Sequence, residues 1–254
     1  IHVPTAMGAI VLSYKLEGID KLRLNAALIS GIFRGEIERW DDARLAAVNP
    51  GLHLPAKPIT PVYRSDGSGT TAVFSDYLSK ADSIWRKDIG SGKSLKFPAG
   101  IAAKGNPGVA GILAETEGAI GYIGSEYALA LQLPSAILQN RAGHFVEAGE
   151  HNIAAAADNT DFPSDTRATL TDSPAPEAYP IATFTWLVAY TEQQYNKRSR
   201  AQAEALSGLF LFLLSEEGQK MAGRTFYTPL PPNVQKIAAT QVKTMTYGQQ
   251  LLRQ

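Results

Sequence analysis

One stretch of the sequence carries more structural information than any other: Ile59-Thr60-Pro61-Val62-Tyr63-Arg64-Ser65-Asp66-Gly67-Ser68-Gly69-Thr70-Thr71. Its residue pattern predicts a buried strand over residues 59–63, a polar turn rich in glycine over residues 64–69 and a helix over residues 70–78. A strand that passes through a tight turn into a helix is a building unit of α/β folds. The stretch therefore predicts an α/β protein and marks its turn as a candidate functional segment.

The turn concentrates hydrogen-bond donors at a helix start. The first N–H groups of a helix have no partner within the helix, and the helix dipole adds about half a positive charge there. Gly67 and Gly69 let a ligand approach the backbone closely. Ser68 and Thr70 add hydroxyl groups. Such a helix start is suited to binding an anion.

A charged pair completes the candidate site. Arg64 has a forked, permanently charged donor that suits two oxygens of a tetrahedral anion. Asp66 lies two residues later and could hold that guanidinium in place. The residue types also fit a plain strand-to-helix turn with a Ser or Thr cap and a surface Arg–Asp pair. They do not identify the anion.

The rest of the chain alternates strands and helices, which predicts an α/β fold throughout. Residues 135–147 predict a hairpin, and residues 159–178, rich in Asp, Ser, Thr and Pro, predict a loop or crossover. The other predicted strands are residues 8–16, 119–123 and 180–190, and the other predicted helices include residues 25–33, 105–115, 125–131, 200–214 and 233–247.

Composition excludes several classes of function. Lys and Arg total 24 and Asp and Glu total 24, so the net charge of zero argues against a protein that tracks nucleic acid. The chain has no cysteine, which excludes thiol catalysis and thiolate metal sites. No apolar run reaches the ~20 residues of a membrane span. A small anion needs only a local site and stays compatible with this composition.

Two patterns resemble catalytic or nucleotide-binding motifs but depart from them. Residues 90–94 look like the end of a P-loop, yet Lys87 stands where that motif needs glycine, which favours a solvated loop. Ser68 could be a nucleophile, but the elbow motif needs glycine where Asp66 and Thr70 stand. We therefore predict no catalytic residue.

A third pattern concerns metal binding. His144, Glu147 and His151 lie close in sequence, but their spacing is not that of a helical pair of histidine ligands. Gly143 and Gly149 also interrupt any single helix through them. We interpret these side chains as surface residues and predict neither a metal nor another cofactor.

The segment Arg64-Ser65-Asp66-Gly67-Ser68-Gly69-Thr70-Thr71 resembles the phosphate-loop motif of the periplasmic phosphate-binding proteins, the solute-binding proteins of phosphate ABC importers. Further similar segments occur in that family's order along nearly the whole chain. They are Leu45-Ala46-Ala47-Val48-Asn49-Pro50-Gly51, Phe74-Ser75-Asp76-Tyr77-Leu78-Ser79, Gly105-Asn106-Pro107-Gly108-Val109-Ala110, Gly118-Ala119-Ile120-Gly121-Tyr122-Ile123, Leu138-Gln139-Asn140-Arg141-Ala142-Gly143, Tyr179-Pro180-Ile181 and Tyr227-Thr228-Pro229-Leu230-Pro231.

The resemblance implies a two-lobed, type II binding-protein architecture, each lobe a mixed sheet flanked by helices. Strands near 8–13 and 181–189 would join the lobes as a hinge that closes on ligand. Residues 12–178 would form the second lobe, and residues 1–11 and 179–254 the hinge and the C-terminal part of the first lobe. The implied phosphate contacts are Arg64, Ser68, Gly69 and Thr70, with Asp66 orienting Arg64.

The same resemblance implies a protein that is not an enzyme. It would be a periplasmic or cell-surface monomer that binds inorganic phosphate between its lobes and delivers it to a membrane ABC permease, without binding nucleic acid. The alternatives are a binding protein for another oxyanion, such as sulfate or molybdate, and a phosphate-ester hydrolase that reuses the same loop.

The chain departs from the family pattern at its start. Family members open with a Gly-rich first-lobe segment that carries further phosphate contacts, including a carboxylate that accepts the phosphate proton, and no such segment precedes the first predicted strand here. We therefore expect the rest of the first lobe, the group that selects phosphate over sulfate and the export signal to lie outside this sequence, and the chain alone to bind phosphate weakly.

Overall fold

The main sheet contains one long strand, β1 (His2–Tyr14), which is hydrogen-bonded to two neighbouring strands. The structure is a computed structural model that describes residues 1–158, 160 and 162–252. The predicted loop over residues 159–178 therefore includes two residues, 159 and 161, that lie outside the described part. Strand β1 begins six residues before the strand predicted at residues 8–16.

The predicted alternation of strands and helices is confirmed, with boundary shifts. The hairpin expected at residues 135–147 is present as two short antiparallel strands. In chain order the other elements are β2 (Arg23–Leu24), α1 (Ala26–Phe33), α2 (Ala43–Val48), β3 (Thr60–Arg64), α3 (Gly69–Ala81), α4 (Ser83–Asp88), β4 (Ile101–Ala103), α5 (Gly105–Glu115), β5 (Ala119–Gly124), α6 (Ser125–Ala130), β6 (Ile137–Gln139), β7 (Phe145–Val146), α7 (Glu150–Ala155), β8 (Ala182–Val188), α8 (Arg200–Leu213), α9 (Glu216–Arg224), α10 (Pro232–Lys243), β9 (Thr246–Tyr247) and β10 (Gln250–Leu251).

The five-stranded sheet is mixed, in the order β4-β3-β5-β1-β8. Strand β3 runs parallel to β4 and β5, whereas β1 runs antiparallel to both β5 and β8. The two halves of β1 have different partners: His2 to Ala9 pair with β8, and Ile10 to Tyr14 pair with β5. The chain between Ala9 and Ile10 is thus where the sheet passes from one set of partners to the other.

The helices contact the sheet in two groups. Helix α5 packs against β3 and β5 and α3 packs against β5 and the neighbouring part of β1, whereas α8, α9 and α10 pack against β1. Each group covers one part of the sheet. The apolar residues on that part of the sheet face are buried beneath the helices, and this burial stabilises the fold. This arrangement is the two-lobed α/β architecture predicted from the sequence.

An aromatic cluster fills the core beneath β3 and α3. Phe74 stacks on Tyr122 with ring centroids 4.3 Å apart and packs edge-on against Phe33 and Trp85. Phe97 completes the cluster. Large buried aromatic side chains fix the positions of the elements that carry them. The cluster therefore fixes the start of α3 relative to β5. Among the described residues, no helix combines the length and the apolar character needed to cross a membrane.

Candidate anion-binding site

The glycine-rich turn runs from the end of β3 at Arg64 to the start of α3 at Gly69. Ser68 is the N-cap of α3, with extended backbone angles, and its Oγ accepts the N–H of Thr71 at 3.2 Å. A serine in this position satisfies one of the unpaired amides at a helix start. The remaining first-turn amides, at Gly69 and Thr70, are those available to a ligand.

The turn is supported from one side by the chain between α4 and β4 and by the last residue of β4. The N–H of Ser68 donates to the carbonyl of Lys93 at 2.9 Å, and the N–H of Ser65 donates to the carbonyl of Ala103 at 2.9 Å. The hydroxyl of Ser75 accepts the N–H of Gly92. The P-loop-like residues 90–94 thus brace the turn and do not begin a helix. The predicted solvated loop is confirmed, since these residues form no helix or strand and Ser91, Lys93 and Ser94 are exposed, and the loop also contacts the turn through its backbone.

Arg64 and Asp66 form a bidentate ion pair across the turn. Nε of Arg64 donates to Oδ1 of Asp66 at 2.8 Å, and Nη2 donates to Oδ2 at 2.6 Å. The N–H of Gly105 donates to the same Oδ1 at 3.0 Å. The hydrogen bonds from Arg64 and then from Gly105 hold the pKa of the Asp66 carboxyl well below its usual range. Asp66 therefore stays ionised and fixes the guanidinium.

The start of a second helix also holds Arg64. Its Nη1 donates to Oδ1 of Asn106 at 3.0 Å and to Oγ1 of Thr70 at 3.3 Å. Asn106 lies in the first turn of α5, so the starts of α3 and α5 meet at this guanidinium. Arginine has five N–H donors. One donor, on Nη2, is not used by the hydrogen bonds within the described residues.

A cleft of about 390 Å³ opens at the start of α3. Gly69 and Thr70 line one wall, and Asn106 lines it beside them. Arg64, Asp66 and Ser68 do not line this cleft, but Arg64 contacts Thr70 and Asn106, which do. The other lining residues come from the sheet, from helices α3 and α6 and from the chain after α9: Gly8, Ala9, Ile10, Ala72, Val73, Gly124, Glu126, Thr183, Phe184, Thr185, Trp186 and Tyr227.

The five predicted site residues therefore lie within one turn, and two of them form a wall of a cleft at the point where β1 changes partners. The sequence analysis missed Asn106, although the Gly-Asn-Pro-Gly run that opens α5 is a visible helix-start signal. It also missed Glu126 and Tyr227, because only the fold brings them to this cleft.

A larger groove of about 770 Å³ lies elsewhere, beside the start of α1. Lys80, Arg86, Arg141 and Asp172 are among its lining residues, so charges of both signs face it. None of the predicted site residues lines it. The groove is therefore separate from the glycine-rich turn.

The three residues considered for a metal have different partners. His144 contacts the carbonyl of Pro176, and His151 contacts the carboxylate of Glu177 at 2.8 Å. Glu147 lies 3.8 Å from the amino group of Lys21. Across residues 1–158, 160 and 162–252, no three His, Asp or Glu side chains are grouped in a way that could hold a metal ion.

The fold and the cleft define a class: this is a two-lobed solute-binding protein. Residues 1–217 match the PBP superfamily domain. Phosphate-binding protein PstS of Xylella fastidiosa (strain 9a5c) is 40% identical over 238 residues, covering 92% of this chain and 64% of the relative. The protein of the same name from Haemophilus influenzae is 34% identical, covering 96% of this chain and 73% of the relative. The chain belongs to the PBP superfamily and, within it, to the PstS family of phosphate-binding proteins.

Solved structures show the same fold. A periplasmic phosphate-binding protein determined with bound phosphate superposes with a TM-score of 0.70 at 20% identity, covering 96% of this chain and 75% of that one. A phosphate-binding protein from Stenotrophomonas maltophilia superposes with a TM-score of 0.71 at 16% identity, covering 94% of this chain and 70% of that one. The chain spans 64% of the length of the Xylella relative.

Proposed function

We propose that this protein binds inorganic phosphate in the cleft at the start of α3 and delivers it to a membrane ABC permease. One observation carries the proposal: the first turns of α3 and α5 meet at a guanidinium that Asp66 holds in a fixed orientation. Relatives named as phosphate-binding proteins support the choice of ligand.

The proposed contacts follow from the donors that the turn leaves available. The amides of Gly69 and Thr70, together with the Thr70 hydroxyl, would donate to phosphate oxygens. Arg64 would add its unused N–H, and the Ser68 hydroxyl could donate while its oxygen still accepts from Thr71. A phosphate that bridges backbone amides at a helix start and an arginine gains charge-assisted hydrogen bonds, which are stronger than neutral ones.

The lobes and their motion belong to the same proposal. Residues 12–178 form the lobe that carries the turn, and residues 1–11 and 179–254 form the hinge and part of the other lobe. Because β1 changes partners between Ala9 and Ile10, bending there would change the width of the cleft. The protein would act as a periplasmic or cell-surface monomer and would not be an enzyme, because binding and release alone serve an importer.

Isothermal titration of the chain with phosphate, carried to millimolar ligand, tests the proposal. We expect saturable binding, and we expect Arg64→Ala to weaken it by more than about tenfold, since a charge-assisted hydrogen bond is worth roughly 1.5–3 kcal/mol. Arg39→Ala is the matched control because Arg39 and Asp41 form the same two-residue bidentate pair on the exposed surface.

Three other results would change the proposal. They would come from this titration, from the same titration with sulfate or molybdate, and from a turnover assay with a phosphate ester. Unchanged phosphate affinity in Arg64→Ala would place the site elsewhere. Tighter binding of sulfate or molybdate than of phosphate would make the ligand another oxyanion. Steady turnover of a phosphate ester, lost in Arg64→Ala, would make the protein a hydrolase.

A further inference from the structure

The groove of about 770 Å³ beside the start of α1 carries polar and charged groups that the phosphate site does not use. Its volume lies in the range of small-molecule sites. Ala26, Ala27 and Ala81 are among its lining residues, and their short side chains leave room between the polar groups. None of the proposed phosphate contacts lines it, so a ligand here would bind independently of the anion cleft.

The start of α1 presents two unused backbone donors to the groove. Asn25 is the N-cap of the helix, and its Oδ1 accepts the N–H of Leu28 at 3.0 Å. The N–H groups of Ala26 and Ala27 have no acceptor among the described residues, and the helix dipole adds partial positive charge at the same place. This end of the groove therefore favours a negatively charged group.

A buried hydroxyl in the wall of the groove also has no partner. Tyr77 of α3 lines the groove, is 2% exposed, and forms no hydrogen bond through its hydroxyl within the part of the chain that the structure describes. The fully enclosed unpaired side-chain atoms belong to other residues, so the small exposed part of Tyr77 includes its hydroxyl. Burial and then the charge of Asp172 raise the pKa of Tyr77, so the phenol keeps its proton. Because buried polar groups are nearly always hydrogen-bonded, this hydroxyl indicates a ligand group in the groove.

Two arginines face the groove without an acidic partner. Among the residues that the structure describes, neither Arg86 nor Arg141 forms an ion pair. Arg86 donates to backbone carbonyls near the end of α3, and Arg141 lies on the exposed turn between β6 and β7. Lys80, in contrast, is paired with Asp76 at 2.8 Å. The groove thus offers two uncompensated positive charges to a ligand.

One carboxylate faces the same groove without a cation paired to it. Asp172 has φ +57°, a conformation that few residues other than glycine adopt, and its N–H donates to the carbonyl of Pro180 at 2.9 Å. The backbone therefore fixes the place of this side chain. Burial raises the pKa of Asp172, and the charges of Arg141 and Lys80 lower it. Its oxygens accept no hydrogen bond within the described residues, so they are available to a donor from a ligand.

We propose that this groove binds an acidic amino acid, of the class of glutamate and aspartate. The ammonium group would donate to Asp172, and the two carboxylates would accept from the start of α1, from Tyr77 and from the two arginines. Arginine and carboxylate form strong, charge-assisted hydrogen bonds. Two arginines and one aspartate leave one net positive charge in the groove, and glutamate carries one net negative charge at pH 7.

Other ligand classes fit the same groups less well. An inorganic oxyanion or a dicarboxylate has no cationic group, so Asp172 would repel it. An amino acid with a single carboxylate would leave one of the arginines without a partner. Charge complementarity therefore selects a ligand with two anionic groups and one cationic group.

Isothermal titration with L-glutamate, L-aspartate and glutarate tests the inference, because glutarate has the two carboxylates of glutamate without the ammonium group. We expect saturable binding of at least one of the two amino acids and weaker binding of glutarate. Asp172→Asn should lower the amino-acid affinity by about tenfold or more, because a charged hydrogen bond is lost. The same variant should not lower the glutarate affinity, because the removed charge repels that ligand.

Asp20→Asn is the matched control, because Asp20 is an exposed carboxylate outside the groove. It should leave the affinity for all three ligands unchanged. The melting temperature of Asp172→Asn shows whether the variant folds, and its phosphate affinity should equal that of the unaltered chain. If neither amino acid binds, or if Asp172→Asn lowers glutamate and glutarate affinity equally, the inference is wrong and the proposed phosphate function stands.

A second variant tests the other end of the ligand and keeps the test valid if Asp172→Asn does not fold. Arg141 is exposed, so Arg141→Gln removes no buried contact. We expect it to lower the affinity for both glutamate and glutarate by about tenfold, because both ligands carry the carboxylates that the guanidinium would bind. Unchanged glutamate affinity in this variant would also contradict the inference.

Discussion

The side-chain hydroxyl of Tyr122 accepts the backbone N–H of Arg64 at 3.2 Å. The same hydroxyl is hydrogen-bonded to Oγ1 of Thr71 at 2.8 Å, and the Tyr122 side chain is fully buried. One residue of β5 therefore joins both ends of the glycine-rich turn to the aromatic core. The stacking of its ring on Phe74 ties the position of the turn to core packing.

Tyr122→Phe should destabilise the protein although it keeps the ring. The substitution leaves the N–H of Arg64 and the hydroxyl of Thr71 without their partner, and an unsatisfied buried polar group costs about 1–3 kcal/mol. We expect a loss of that size in the free energy of unfolding measured with urea. Tyr190→Phe is the control, because Tyr190 is 72% exposed. Equal stabilities of the two variants would contradict the assigned role of the Tyr122 hydroxyl.

The pairing of β4 with β3 depends on a residue without a side chain. Gly100 has φ +109°, and a Cβ there would lie under 3.0 Å from the carbonyl oxygen of Pro61 in β3. Gly18 also has a positive φ, +75°, but nothing lies within 4 Å of its Cβ position. Gly18→Ala should cost only the backbone strain of a left-handed residue, about 1 kcal/mol. Gly100→Ala adds a clash with backbone and should cost more than about 2 kcal/mol.

Urea unfolding of the two glycine variants separates backbone strain from close approach. The difference between the two losses in the free energy of unfolding measures how closely β4 must lie against β3. This close pairing places the carbonyl of Ala103 where it accepts the N–H of Ser65 in the turn. Equal losses in the two variants would mean that the sheet edge relaxes around the new methyl group.

The amino-acid sequence predicts some parts of this structure well because they are local. The turn from Arg64 to Thr70 and the cap by Ser68 depend on residues within a few positions of each other. The helix start at Asn106 is visible in the sequence, but its contact with Arg64 depends on how α5 packs on the sheet, and the place of Glu126 in the cleft depends likewise on α6. Strand β4 has only three residues, two of them exposed, so its sequence has no hydrophobic pattern that predicts a strand. Only its pairing with β3 in the folded protein identifies it as one. The division into lobes at residues 12–178 stays a prediction.

Asp66→Asn should weaken phosphate binding, and the sign of the effect is informative. The substitution removes a negative charge near the proposed anion, which alone would strengthen binding. It also removes the bidentate acceptor that fixes Arg64. We expect the loss of orientation to dominate and the affinity to fall by about fivefold, because one charge-assisted hydrogen bond loses its geometry.

Asp41→Asn provides the comparison, since Asp41 accepts the same pair of hydrogen bonds from Arg39 away from the cleft. Isothermal titration should show unchanged phosphate affinity for that variant. A gain of affinity in Asp66→Asn would show that its charge repels the ligand more than its hydrogen bonds help.

The C-terminal hairpin of β9 and β10 should be sensitive to acid through Glu192. The backbone N–H groups of Gln194, Gly248 and Gln249 donate to this carboxylate, and those from Gln249 and Gln194 contribute most to a pKa lowered from 4.5 to about 2. A carboxyl whose folded pKa is lowered contributes stability that is fully present above its unfolded pKa and is lost as the pH falls through its folded pKa. Its contribution should therefore be complete above about pH 4.5 and disappear towards pH 2.

Glu192→Gln should accordingly lower the melting temperature at pH 7, and the difference from the unaltered protein should shrink steadily between about pH 4.5 and pH 2. The direction follows because an uncharged amide keeps one acceptor oxygen but loses the charge that strengthens the three backbone hydrogen bonds. Glu38→Gln, at an exposed position away from the hairpin, should show no such pH-dependent difference. A melting-temperature difference for Glu192→Gln that stays constant from pH 7 to pH 2 would mean that the residue acts through its shape and not through its charge.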